Sequence, residues 1–363
     1  MRRSFKFQIL PNVSQERRLT VWLEMCAGLY NQALGNRVAT YRATGTGLSY
    51  NAQTKHLTVL RNESTAWKNL PSDVARSALH RLDRAFKAFF RRVKAGQKPG
   101  FPRFRSRNAY DSFSFPAAAG TLHKNRVRVP HLGHIKVNLH REVIGDVKEV
   151  TIRRGVGERW WVCFSCDLGE APVKVAVRSA VGIDLGLESF ATLTDGSRVE
   201  NPRYFRRGAG ALAVRQRKLA RAKRGSRGRE RAKVLVAKAH AHVANQRRDH
   251  GRKVVVELFR RFDLVAYEDL NIRGMVHGNL SKSIHDAAWG QFIHDLTCKA
   301  ESAGKHAVAV DPRGTSQKCS ACGAVVQKSL GDRVHACACG LVVHRDLNAA
   351  RNILALGLSA VAS

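Results

Sequence analysis

The chain has 363 residues, enough for two or three compact units with cores of their own, and 44% of them are hydrophobic, which excludes wholesale disorder. No run of roughly eighteen or more apolar residues occurs, which excludes a helical membrane span, and no lipidation motif marks a membrane surface. Lys and Arg number 63 against 28 Asp and Glu, a formal net charge of +35; such a chain repels itself unless a polyanion neutralises it, and nucleic acid is the expected partner.

The N-terminus, Met1-Arg2-Arg3, lacks the long apolar stretch of a signal peptide, so a cytoplasmic location is expected. Phe5, Phe7 and Ile9 alternate as in a strand, and Pro11-Asn12 ends it. Leu19, Trp22, Leu23, Cys26, Leu29, Tyr30, Ala33 and Leu34 then recur at spacings of three and four, the apolar face of a helix that stops at Thr44-Gly45-Thr46-Gly47. A second helix is expected over about 53–60, and a third after Leu70-Pro71-Ser72, with Ser72 as its N-cap. Together these make a small helical bundle over 16–95. From Gly96 the chain becomes a stiff basic loop, Lys98-Pro99-Gly100-Phe101-Pro102-Arg103-Phe104-Arg105, whose aromatic rings can stack on bases while Arg103 and Arg105 meet phosphates.

Short strands separated by turn residues follow at 112–115, 126–129, 134–139, 147–152 and 160–168, a small barrel or sandwich that the strand near Phe5 would complete. Cys163 and Cys166 have C-x-x-C spacing but lie in an alternating strand with no second pair nearby, so they are expected to be strand residues rather than metal ligands. A hairpin is expected over 181–200. Between Arg203 and Lys233 there are thirteen Lys or Arg and one acid, Glu230, broken at Gly225-Ser226-Arg227-Gly228 into two basic helices. That imbalance is too large for ion-paired helices and marks a phosphate-contacting arm, with Arg215, Lys218, Arg221, Lys223 and Arg224 as candidate contacts.

Three acids stand out by context. Asp184 sits in the apolar run Val181-Gly182-Ile183-Asp184-Leu185-Gly186, where an uncompensated carboxylate is costly. Glu268 ends the buried-strand pattern Phe262-Asp263-Leu264-Val265-Ala266-Tyr267, the end at which open α/β sheets present ligand-binding groups. Asp346 begins the helix Leu347-Asn348-Ala349-Ala350-Arg351-Asn352, where it could equally serve as a helix cap. Together three carboxylates suit two Mg²⁺ ions, which clamp the attacking and leaving oxygens of a phosphodiester. Four of the eight cysteines crowd into Cys319-x-x-Cys322 and Cys337-x-Cys339, each pair followed by a glycine; one structural Zn²⁺ with four thiolates fits, and His335 is an alternative ligand because the second pair has one intervening residue where two are usual.

These segments resemble the TnpB (OrfB) family, the insertion-sequence-encoded relatives of type V CRISPR effectors, over nearly the whole chain. Leu70-Pro71-Ser72, Phe86-Lys87-Ala88-Phe89-Phe90-Arg91-Arg92 and Pro99-Gly100-Phe101-Pro102-Arg103-Phe104 resemble the N-terminal half. Gly182-Ile183-Asp184-Leu185-Gly186, Tyr267-Glu268-Asp269-Leu270 and Arg345-Asp346-Leu347-Asn348 resemble its three RuvC motifs, and Thr315-Ser316-Gln317-Lys318-Cys319 its zinc ribbon. The resemblance implies an α/β fold combined with a β-barrel and a helical bundle. A wedge-type β-barrel would occupy 1–15 and 112–178, a helical recognition domain 16–111, a RuvC/RNase H-like nuclease 179–313 and 341–358, and an inserted zinc ribbon 314–340. It implies Asp184, Glu268 and Asp346 as metal-binding catalytic residues. It also implies an RNA transcribed around the transposon end as guide, and cleavage of complementary double-stranded DNA beside a short motif. A transposase and a non-cutting DNA-binding regulator are the competing readings.

Overall fold

The computed structural model describes residues 1–106, 109–119, 122–329 and 331–362, and the chain divides into two units, Met1–Glu170 and Ala171–Ser363. The segment from residue 171 joins the second unit, earlier than the expected boundary at 178, because it is bonded there: Val175 N–H donates to Gly304 O at 2.8 Å and Arg178 N–H to Asp263 Oδ2 at 3.2 Å.

In the first unit, β1 (Arg2–Leu10) buries Phe5, Phe7 and Ile9 and is followed by α1 (Val13–Thr44), α2 (Tyr50–Glu63), the single turn α3 (Thr65–Lys68) and α4 (Ser72–Lys94). Asn12 starts α1 through a capping box, its Oδ1 accepting from Gln15 N at 2.8 Å while Gln15 Oε1 accepts from Asn12 N at 3.1 Å. Ser72, expected as a cap, lies inside the first turn of α4; Pro71 holds the cap position and gives no side-chain bond. Six strands follow: β2 (Ser112–Pro116), β3 (Leu122–His123), β4 (Arg126–Val129), β5 (Gly133–Asn138), β6 (Asp146–Arg154) and β7 (Trp160–Asp167). With β1 they form one antiparallel sheet in the order β2-β6-β7-β1-β5-β4-β3, not the two packed sheets of a sandwich. The helices and the sheet share a core in which Trp22 meets Phe113 edge-on at 5.8 Å. Cys163 and Cys166 face opposite sides of β7, as strand residues three apart must.

The second unit opens with β8 (Ala180–Leu185), β9 (Ser189–Leu193) and β10 (Arg198–Glu200), an antiparallel meander. Two long basic helices, α5 (Tyr204–Arg221) and α6 (Arg227–Arg261), lead to β11 (Leu264–Glu268). Then come α7 (Ile272–Met275), α8 (Ser281–Ala287), α9 (Trp289–Ala303), β12 (His306–Val310), the short hairpin β13 (Val334–Ala336) and β14 (Val342–His344), and α10 (Arg345–Ala362). The sheet order is β10-β9-β8-β11-β12, with β11 parallel to both β8 and β12. Every residue of β11 is buried, as expected for a central parallel strand covered on both faces.

Side-chain alternation sorts the two faces. Val181, Ile183, Val265 and Tyr267 pack with Val255, Phe259, Phe292 and Leu296 of α6 and α9, whereas Leu264 and Ala266 pack with Ile353 of α10. The α10 backbone lies directly on the sheet because glycine stands at both points of closest approach. A Cβ on Gly182 would collide with the Ala350 carbonyl oxygen and stand 2.6 Å from Leu354 N; one on Gly357 would collide with Ala266 Cβ. Among the described residues, no helix is long and apolar enough to cross a membrane.

Candidate active site and thiol cluster

Asp184 shares the sheet face of Gly182, and Glu268 that of Leu264 and Ala266, so both carboxylates emerge on the face that α10 covers. The β8–β11 register pairs Tyr267 with Ile183, which brings Glu268 alongside Asp184 one step on. Asp346 lies in the first turn of α10, rather than at its cap, and an acid there is favoured by the helix dipole. The close seating of α10 therefore delivers the third carboxylate, from 78 residues beyond Glu268, to the ends of β8 and β11. All three line one cleft of about 350 Å³, together with Glu188, Pro312, Thr315, Arg333 and Arg345.

The cleft is electrostatically unbalanced. Burial, and then the neighbouring charges of Glu268 and Asp346, push the Asp184 carboxyl up to about 8, with Arg345 opposing. Burial also raises Glu268, which is 8% exposed, against the Thr315 hydroxyl that donates to its Oε1 at 2.5 Å. His344 Nδ1 accepts from the Asp346 backbone N–H at 3.2 Å and lies 3.7 Å from Asp346 Oδ2. Three hard oxygen donors whose mutual repulsion Arg345 offsets only in part make a donor set suited to a divalent cation. Asp269, next to Glu268, is exposed, its backbone N–H bound to Val310 O at 2.9 Å.

The four sequence-selected cysteines converge. Cys319 Sγ and Cys339 Sγ are 3.6 Å apart, as are Cys322 Sγ and Cys337 Sγ, and all four lie within 4.8 Å of one another. Each knuckle closes on a glycine with left-handed backbone, Gly323 at φ +79° and Gly340 at φ +90°, which lets Cys319 N–H reach Ala324 O and Cys337 N–H reach Leu341 O. The one-residue spacing of the second pair is thus accommodated by its turn. His335, the alternative ligand, is fully buried beside the cluster, with its Nδ1 against Lys328 Nζ. Backbone N–H groups of Cys322 and Ala321 hold the Cys319 thiol below its ordinary value, which favours the thiolate form that a metal binds.

Several working residues gave no signal of their own in the sequence. Asn352 Nδ2 donates to Thr315 O at 2.8 Å and to Lys318 O at 2.7 Å, and Asn348 bonds Lys318 O and Ser320 N–H at 2.7 and 2.9 Å. Two asparagines one helical turn apart on α10 thereby tie the cysteine knuckle, Thr315 and the carboxylate cleft into one network; their i, i+4 spacing was the available clue.

Of the candidate phosphate contacts, Arg215, Lys218, Arg221, Lys223 and Arg224 all lie exposed on α5 and its turn to α6, and Arg103 and Arg105 are exposed in the loop after α4. The hairpin is fixed by Arg229, whose Nη1 donates to Leu219 O at 2.9 Å and Ala222 O at 3.0 Å, satisfying carbonyls at the α5 C-terminus.

Residues 163–278 match the family described as "Probable transposase", residues 289–353 the family "Cas12f1-like, TNB domain", and residues 1–46 a "Helix-turn-helix domain". In this fold the last of these segments is a strand and one continuous helix. The chain is 30% identical, over 99% of its length and 93% of the relative's, to a protein of Escherichia coli (strain K12) named RNA-guided DNA endonuclease InsQ. It is 32% identical, over 100% and 91%, to a Streptomyces pristinaespiralis protein named RNA-guided DNA endonuclease. Its fold is similar to that of Cas12f1 in a complex with guide RNA and target DNA (TM-score 0.60, 15% identity, 94% of this chain and 83% of that one). A second similar fold is that of the CRISPR-Cas_phi3 mini-RNA-guided endonuclease (TM-score 0.56, 9% identity, 99% and 92%).

Proposed function

The chain belongs to the IS605 OrfB family, which includes TnpB, and on that premise we propose that it is an RNA-guided DNA endonuclease of an insertion sequence, with its phosphodiesterase centre at Asp184, Glu268 and Asp346. The observation that carries the catalytic assignment is the single cleft lined by all three carboxylates, in which Asp184 is pushed up to about 8 by burial and by the other two. The five-stranded sheet is read as a RuvC/RNase H-like nuclease core, residues 314–340 as its zinc ribbon, the seven-stranded sheet as the wedge-type barrel, and the inserted helices as the recognition domain.

Asp184, Glu268 and Asp346 would hold Mg²⁺, which when bound in a pair supplies activation of water and neutralisation of charge at the scissile phosphate. The chain's own groups set the stage for that. Thr315 fixes one oxygen of Glu268, Arg345 offsets part of the negative charge at Asp184, and the α10 seating holds Asp346 against the strands. The four cysteines suit one structural Zn²⁺: tetrahedral Zn–S bonds of about 2.3 Å put sulfurs roughly 3.8 Å apart, against 3.6 Å here. With four thiolates there is no open position, so the zinc has no catalytic part. The guide would be an RNA from the transposon end and the target double-stranded DNA. Base pairing would read sequence, leaving the protein to contact shape and phosphates, which fits a net charge of +35.

The test is to express the chain with its native flanking DNA, sequence the nucleic acid that co-purifies, and assay cleavage of a matching duplex with Mg²⁺. One discrete RNA with a constant scaffold, supporting cleavage that Asp184→Ala abolishes, is expected. Strand-transfer products from transposon ends would make the chain a transposase, and duplex binding without cutting would make it a regulator.

A further inference from the structure

The end of α4 and the loop after it form a surface that the proposed cleavage chemistry does not use. Phe101, from the loop, sits edge-on against Phe86 at 5.5 Å and Phe89 at 5.4 Å of α4. Phe90 packs against Phe89 at 5.2 Å and lies nearly parallel to Phe86, 6.2 Å away. Of these only Phe86 reaches the main core and Phe89 is half-buried, whereas Phe90 is 60% exposed, Phe101 50% and Phe104, three residues further along the loop, 66%. The loop is anchored as well, because Asn31 of α1 bonds both the backbone N–H and the carbonyl of Arg105 at 2.8 Å.

Three large aromatic residues left in water on an anchored scaffold are costly unless something covers them. Their surroundings say what that is. From Arg84 to Tyr110 there are nine Lys or Arg and no acid. Arg91, Arg92, Lys94, Lys98, Arg103 and Arg105 are exposed, and none forms an ion pair with a described carboxylate. A second copy of the chain would bring the same cations face to face, and a neutral apolar partner would leave them uncompensated. A chain of unpaired bases on a phosphate backbone satisfies both parts at once, and bases inside a duplex could not reach the rings.

We propose that Phe90, Phe101 and Phe104 are a stacking platform for unpaired bases of a single-stranded nucleic acid whose phosphates meet the cations of residues 91–105. This rests on the reading of the chain as nucleic-acid-binding and adds where, and through which part of the nucleotide, an unpaired segment is held.

The experiment measures binding of the purified full chain to a labelled single-stranded RNA and to an abasic oligonucleotide of the same length, across a salt series. Phe90→Ala with Phe104→Ala should weaken binding of the RNA roughly 10-fold or more, leave the abasic oligonucleotide unchanged, and leave the salt slope unchanged. Phe90→Trp should bind as well as the parent and Phe90→Leu as poorly as Phe90→Ala, because a plane rather than apolar area is required. Equal losses on both oligonucleotides, or full binding by Phe90→Leu, would overturn the platform, as would a dimer of the parent chain that Phe90→Ala dissociates. Unchanged RNA binding by the alanine variants overturns the platform alone, whereas a parent chain that binds neither oligonucleotide defeats the nucleic-acid reading itself.

Discussion

The Thr315 hydroxyl donates to Glu268 Oε1 at 2.5 Å in a buried setting, and the same threonine's carbonyl accepts from Asn352 Nδ2 at 2.8 Å. One proton serves the hydroxyl, and the Pro312 carbonyl is the competing acceptor at 3.0 Å. The shorter, charge-assisted contact favours Glu268 whenever that acid is ionised. Thr315→Val keeps the shape and removes the donor. Cleavage should fall roughly 10- to 100-fold, the range for residues that orient a metal ligand, while Thr315→Ser should restore most of it. Single-turnover kinetics with saturating guide and target would check this, with Mg²⁺ affinity measured alongside. Parent-like rates from the valine variant would remove Thr315 from the site.

The seating of α10 gives a second test. Gly182→Ala puts a methyl group into the Ala350 carbonyl, a backbone atom that cannot swing away. The helix must lift, at an overpacking cost of about 1–3 kcal/mol, and Asp346 moves with it. Denaturant unfolding should show that loss, and cleavage should fall much further than the stability change alone explains. The control is Gly210→Ala in α5, where an added Cβ meets nothing within 4 Å.

Much of this was legible in the residues. Strand alternation around Phe5, the C-terminal helix, the basic hairpin and both cysteine pairs are local patterns, and local patterns survive folding. What was not legible is long-range. That Asp184 and Glu268 share a face follows from a register between strands eighty residues apart, and Asp346 joins them only because glycines at 182 and 357 let a helix backbone touch the sheet. Strand β12 and helix α9 carried no distinctive signature, so the parallel edge of the sheet is a feature of the fold that the residues do not announce. The cap expected at Ser72 failed because the preceding proline already sets the backbone that a cap requires.

The Asp184 carboxyl gives a pH prediction. Its folded value of about 8 lies above the ordinary 3.8, so between the two the folded chain holds a proton that the unfolded chain has released. Stability of the Mg²⁺-free protein should therefore fall as pH rises through this window and level off above about 8. Asp184→Asn removes that contribution and should melt higher than the parent at pH 8, on the order of 5 °C. Added Mg²⁺ should raise the melting temperature of the parent much more than that of the variant. Parallel melting curves of parent and Asp184→Asn from pH 5 to 9, with and without the ion, decide it, because groups such as His250 that titrate in the same range cancel in the difference; a parent-minus-variant difference that does not fall as pH rises would contradict the raised Asp184 carboxyl.

The cysteine cluster should matter to cleavage although it has no chemistry of its own. Asn352 clamps Thr315 O and Lys318 O together, and Asn348 holds Lys318 O and the Ser320 N–H inside the first knuckle. The knuckle is the next turn of chain after Thr315, so opening it frees the threonine that orients Glu268. Cys322→Ser should reduce the bound zinc well below one per chain and expose residues 314–340 to limited proteolysis, since metal binding supplies the folding free energy of such modules. Cleavage with excess Mg²⁺ should drop with it. The coupling is tested by a double-mutant cycle: if the zinc acts through Thr315, the loss from Cys322→Ser in a Thr315→Val background should be much smaller than in the parent, because the contact it would disturb is already gone. Additive losses would instead mean that the module serves the nuclease by another route, such as direct contact with the nucleic acid.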